Sequence, residues 1–106
     1  MKQLLSRVVA YGAMLAIIAL TLLAQDAKDV YLKQCSVCHG PDGAGKTARG
    51  KKLKVQDVHA TAAKMSADEM IKIVTDGKGQ DMDGYGKTLS KDQIKGLVDF
   101  YRGLAK

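Results

Sequence analysis

Apolar residues return at helical spacing in three stretches of this chain and dominate a fourth, uncharged one. Ile94, Leu97, Val98, Tyr101 and Leu104 stand at i, i+3, i+4, i+7 and i+10, a stripe along a helix predicted over 91–104. Ser90 opens it, with Gln93 three residues on, the pattern of a capping box. Ser66 and Glu69 repeat that pattern ahead of Met70, Ile71, Ile73 and Val74, which predicts a second helix over 67–76 ended by Gly77. Ala27, Val30 and Tyr31 share a face of a helix expected over 26–37, with Asp26 near its start to suit the helix dipole. No strand alternation and no repeated unit appears, so the fold class expected is all-α.

The fourth stretch covers residues 8–24, mostly apolar, without a charge and preceded by Lys2 and Arg7. A positive start followed by a short apolar run reads as a secretory signal peptide over 1–24, with cleavage after Ala24 and a domain over 25–106. The alternative is an uncleaved anchor through residues 4–24. The uncharged helix would span about 25 Å, short of a bilayer core of about 30 Å. Export places the domain in the periplasm, and a retained anchor would tether it to the membrane facing the same space. A monomer is expected in either case.

The segments between the helices are rich in glycine. Gly40-Pro41-Asp42-Gly43-Ala44-Gly45 is turn chemistry. Residues 46–54 (KTARGKKLK) are strongly basic and read as a solvated loop, with Leu53 and Val55 as its apolar points. Residues 56–64 read as a linker. Residues 77–86 hold four glycines, yet Met82 and Tyr85 are planted among them.

Candidate chemistry begins at Cys35-Ser36-Val37-Cys38-His39. Two cysteines three apart, followed at once by histidine, have the spacing for haem attachment through two thioethers. His39 then lies where its imidazole can reach the iron. A bare pair of this spacing also fits a redox dithiol, half a zinc site or a disulfide. The second half of a zinc site lacks its usual paired histidines, and a redox dithiol lacks its strand-helix-strand context. Met82 has no periodic reason to stand in a glycine-rich loop, which makes it the candidate sixth ligand. His59 is either a distal ligand or, as is commoner for a lone histidine, a surface or locally bonded side chain.

Charge narrows the partners. Beyond residue 24 the chain holds fifteen basic and eleven acidic residues. The basic residues are scattered and no nucleic-acid motif accompanies them, so nucleic acid is not expected. A transient redox protein with an acidic docking surface is, with Lys46, Lys51, Lys52, Lys78 and Lys87 as steering charges.

These residues together resemble the small single-haem class I cytochromes c of bacteria across residues 25–106. Cys35 to Gly40 carries the resemblance most strongly. The late loop with Met82, Tyr85, Leu89 and Ser90 follows, then Tyr101 with Ala27 and Tyr31 at the crossing of the last and first helices. Asp83 stands after Met82, and Lys51 after Gly50, where the family often has proline. The resemblance implies a cytochrome c-like fold of three to four helices wrapped around one covalent haem c. It implies Cys35 and Cys38 as thioether anchors, and His39 and Met82 as iron ligands. Val37, Leu53, Val74, Leu89 and Leu97 are expected to bury the group. The function implied is one-electron transfer between redox proteins, not enzymatic turnover. A gas-binding or peroxidatic haem protein and a membrane-tethered redox subunit are the alternatives.

Overall fold

A computed structural model describes residues 26–106. The expected signal peptide or anchor lies outside the described residues. Five helices follow one another, with no strand among the described residues: α1 (26–39), α2 (Ala48–Lys52), α3 (Val58–Lys64), α4 (Ala67–Asp76) and α5 (Lys91–Gly103). The all-α expectation holds, and two short helices stand where loops were expected.

Both additions have local causes. Thr47 caps α2, its side chain accepting from the Gly50 N–H at 3.0 Å. Asp57 caps α3, accepting from the His59 N–H at 2.8 Å. Helices of five and seven residues are too short to display an apolar period, so only their caps betray them. The two longer helices begin where their capping boxes place them. Ser66 and Glu69 bond reciprocally at the start of α4, and Ser90 and Gln93 do so at the start of α5.

α1 is not a uniform α-helix. Across Tyr31–Cys35 it widens into a π turn, the Ser36 N–H reaching back to the Tyr31 carbonyl, before Ser36–His39 return to α geometry. The extra residue shifts the phase of the helix just ahead of Cys35. Ala27 and Tyr31 are buried and Val30 half-buried, while Gln34, within the widened turn, is exposed.

α4 and α5 pack on each other, α3 packs on α5, and α2 packs on the end of α1. The buried apolar side chains are Ala27, Tyr31, Val58, Met70, Ile94, Leu97 and Val98. Gly96 faces Ala27 where α5 meets α1; a Cβ there would lie 3.6 Å from that of Ala27. Tyr31 packs on Phe100 with ring centroids 5.2 Å apart, and on Tyr101 at 6.1 Å. The Arg102 guanidinium donates to the Met65 carbonyl at 2.9 Å and ties the end of α5 to the α3–α4 connection.

Candidate functional site

The last turn of α1 presents Cys35, Cys38 and His39 together, and the loop after it fixes their backbone. A helix end leaves carbonyls without partners, and here each is met. The Thr47 hydroxyl donates to the Val37 carbonyl at 2.6 Å and lies 3.3 Å from that of Cys38. The Gly45 N–H donates to His39 at 2.8 Å. The Gly40 carbonyl accepts from the Gly43 N–H at 3.1 Å and from the buried Tyr31 hydroxyl at 2.6 Å.

Two glycines make this closure possible. Gly40 turns the chain out of α1 at φ +82°, a left-handed conformation that side chains rarely adopt. Gly50 brings α2 against that turn; a Cβ at this position would run into the carbonyl oxygens of Cys38 and Gly45. Thr47 and Gly50, absent from the expected site, are therefore part of its frame. Their sequence signal was only a threonine cap three residues before a glycine.

Cys35 and Cys38 are free thiols, half-buried. Burial, with Cys38 adding to it, pushes the Cys35 thiol up to about 11, so it is protonated at neutral pH. Burial lowers the pKa of His39 from its ordinary value, which leaves the ring neutral at pH 7 with a lone pair to give. Its Nδ1 is buried and has no hydrogen-bond partner. The Tyr101 ring stands edge-on to the imidazole, centroids 5.2 Å apart at 71°. The resemblance placed Tyr101 against the first helix generally; the structure sets it on His39 and gives Phe100 the nearer contact with Tyr31.

Met82 is held in a tight loop. Lys78 and Met82 exchange backbone hydrogen bonds of 2.8 and 3.4 Å, and the methionine is half-buried. The chain then folds back on the end of α4, where the Tyr85 N–H donates to Val74 at 2.8 Å and the Gly86 N–H to Thr75 at 3.0 Å. This anchoring turns Tyr85 toward α1. Its hydroxyl pKa is raised, by burial first and then by the Cys35, Asp83 and Cys38 side chains. Beside it an open cleft of about 390 Å³ separates α1 from the turn before α5, lined by Val30, Lys33, Gln34, Tyr85, Thr88 and Leu89.

Val37 is 56% exposed, and its carbonyl is held by Thr47. His59 stands on the surface with its side chain 67% exposed and its Nδ1 2.7 Å from Asp57, the locally bonded surface histidine that is the commoner expectation.

A family described as cytochrome c oxidase, cbb3-type, subunit III matches residues 23–100. The chain belongs to this family of c-type cytochromes. Among solved structures it is similar to the KustC0563 c-type cytochrome, at 29% identity and a TM-score of 0.69, over 76% of this chain and 98% of that one. A variant of KustC0563 with phenylalanine for one tyrosine aligns at 28% identity and a TM-score of 0.68, over 74% and 98%. No curated protein matches the chain.

Membership makes this c-type cytochrome a small single-haem protein with a cytochrome c-like fold, and implies covalent haem c and electron transport. The residues present fit that group. Two free thiols flank one helical turn, a neutral imidazole follows them, and a thioether stands in the loop whose tyrosine lines the cleft beside α1. Among the described residues no helix is long and apolar enough to cross a membrane.

Proposed function

We propose that this cytochrome is a periplasmic one-electron carrier whose haem c is attached through thioethers to Cys35 and Cys38, with His39 and Met82 as the iron ligands. When bound, the haem supplies a one-electron couple, and a thioether ligand raises its potential relative to other axial choices. The chain's own residues do the positioning. Tyr31, Thr47 and Gly45 hold the backbone of residues 37–40, so His39 is presented by a fixed turn. The Lys78–Met82 loop presents the thioether, and Tyr101 orients the imidazole from its edge. A site closed by two protein ligands leaves little to rearrange between oxidation states, which suits a carrier.

The observation that supports this reading is the cleft between α1 and the turn before α5, where Tyr85, three residues after Met82, lines one side and Val30, Lys33 and Gln34, the last adjoining Cys35, line the other. Cleavage after Ala24 would release the domain, and transient partners with acidic surfaces would exchange electrons with it. Met82→Ala provides the test. The oxidised parent should show the weak methionine-sulfur charge-transfer band at the red end of the spectrum. The variant should lose it while retaining its covalent haem. A band that persists in Met82→Ala would remove Met82 as a ligand.

A further inference from the structure

We infer that Asp83–Gly84 is a site of spontaneous isoaspartate formation, and that this modification acts on the loop of Met82. Aspartate followed by glycine is the sequence at which a backbone amide most readily attacks the carboxyl before it, because glycine has no side chain to hinder the approach. The chain has three such pairs, Asp42–Gly43, Asp76–Gly77 and Asp83–Gly84, and no asparagine. Attack requires an amide that is not already bonded and a carboxyl free to swing onto it. The fold offers both only at the third pair. The Gly43 N–H donates to the Gly40 carbonyl at 3.1 Å, and the Asp42 carboxylate accepts from the Ala44 N–H at 3.1 Å. The Gly77 N–H donates to the Ile73 carbonyl at 2.7 Å as α4 ends. Asp83 and Gly84 are both exposed, and among the described residues neither makes a backbone hydrogen bond and the Asp83 carboxylate joins no ion pair. A bulkier residue cannot protect the pair, since a Cβ at Gly84 would run into the carbonyls of Thr75 and Asp76 at the end of α4. The close approach of the loop to α4 therefore imposes the labile sequence.

The chemistry needs no co-reactant but water. The Gly84 nitrogen bonds to the Asp83 Cγ, and its proton leaves with a carboxyl oxygen as water, closing a succinimide ring. Water then opens the ring. Attack at Cγ restores aspartate, whereas attack at the Asp83 main-chain carbonyl leaves the chain running through Cβ and Cγ. Composition and oxidation state are unchanged, but the main chain is one carbon longer. That carbon falls between two fixed points: the Met82 carbonyl accepts from the Lys78 N–H at 2.8 Å, and the Tyr85 N–H donates to Val74 at 2.8 Å. A longer span shifts these anchors apart, and Met82 is itself the first of them. The consequence for the site rests on the His39/Met82 ligation proposed above: the thioether moves from its ligand position, and the potential it raises falls.

The test is to age the purified holoprotein in warm neutral buffer and map its peptides over time. Cleavage after lysine separates the three pairs. Isoaspartate is marked with an isoaspartyl methyltransferase and methyl-labelled S-adenosylmethionine. Label should accumulate in the peptide that holds Asp83, and not in those of Asp42 and Asp76. Label confined to Asp42 or Asp76, spread equally over the three pairs, or absent altogether would overturn the assignment. Asp83→Glu should abolish the label, because glutamate must close a larger and less favourable ring. Asp83→Ser, which has no carboxyl, gives the same control should the glutamate variant fold poorly. Undiminished label in either variant would place the reaction at Asp81 in the same peptide and overturn the assignment to Asp83. In the parent the methionine-sulfur band should fade in step with the label, and it should persist in Asp83→Glu aged alongside. Label at Asp83 with an unchanged band would overturn the effect on Met82 and leave the modification site standing. A parent that lacks the band before ageing would overturn the ligand assignment and with it the effect on Met82, while the label still decides the modification.

Discussion

Tyr31 shows how one hydroxyl serves both the core and the site. Its ring is buried against Phe100, while its O–H reaches nine residues along to the carbonyl of Gly40. Burial first, then Tyr101, Cys35 and Asp42, hold that hydroxyl neutral far above its ordinary range. The sign follows: the folded state prefers the protonated phenol. This contribution is complete below the unfolded value of about 10 and is lost as pH rises beyond it. Tyr31→Phe keeps the ring and removes the bond. The Gly40 carbonyl still accepts from Gly43, so no buried acceptor is orphaned. Denaturant unfolding should then register a loss of only about 1 kcal/mol. Tyr31→Ala should cost about 3–5 kcal/mol, because the ring contacts go as well.

At the scale of elements, the short helix α2 depends on a residue that lacks a side chain. Gly50 sits where any Cβ would press on two backbone oxygens, and backbone cannot swing aside as a side-chain tip can. Gly50→Ala should destabilise the protein by about 2 kcal/mol and loosen the Thr47 hold on Val37. Gly103→Ala is the contrast: it lies in α5 with nothing within 4 Å of its Cβ, and should stabilise by about 0.5–1 kcal/mol. Thermal and denaturant unfolding of the two variants should therefore move in opposite directions. α4 and α5 were legible because a capping box and an apolar stripe agree on each. α2 and α3 were not, since five and seven residues hold too few turns for a period. The π turn in α1 was not legible either. Bonding from i+5 instead of i+4 uses the same residue types, and the choice between them is made by what the helix packs against.

The molecule as a whole has a thin core: seven buried apolar side chains among the described residues, one of them alanine. A chain of this size needs a further staple, and a covalent haem is one. The double variant Cys35→Ser, Cys38→Ser, expressed without attached haem, should lose most of its far-ultraviolet helical signal and its cooperative unfolding. Full helicity in that variant would show that the protein core suffices. The mass of the purified parent would report in one measurement whether a haem is attached and whether the chain is cleaved after Ala24. What the sequence settled by itself is what acts within a few residues: the all-α class, the caps of the long helices, and the contiguous cysteine–histidine motif. Such features depend on hydrogen bonds and covalent spacing that are complete inside one turn. The tertiary structure alone decided that Thr47 and Tyr31 would hold the end of α1, that Tyr101 would stand against His39, and that Tyr85 would line the cleft beside α1. These contacts join segments about ten to sixty residues apart, and closing such loops costs entropy that only the packing of the assembled helices can offset.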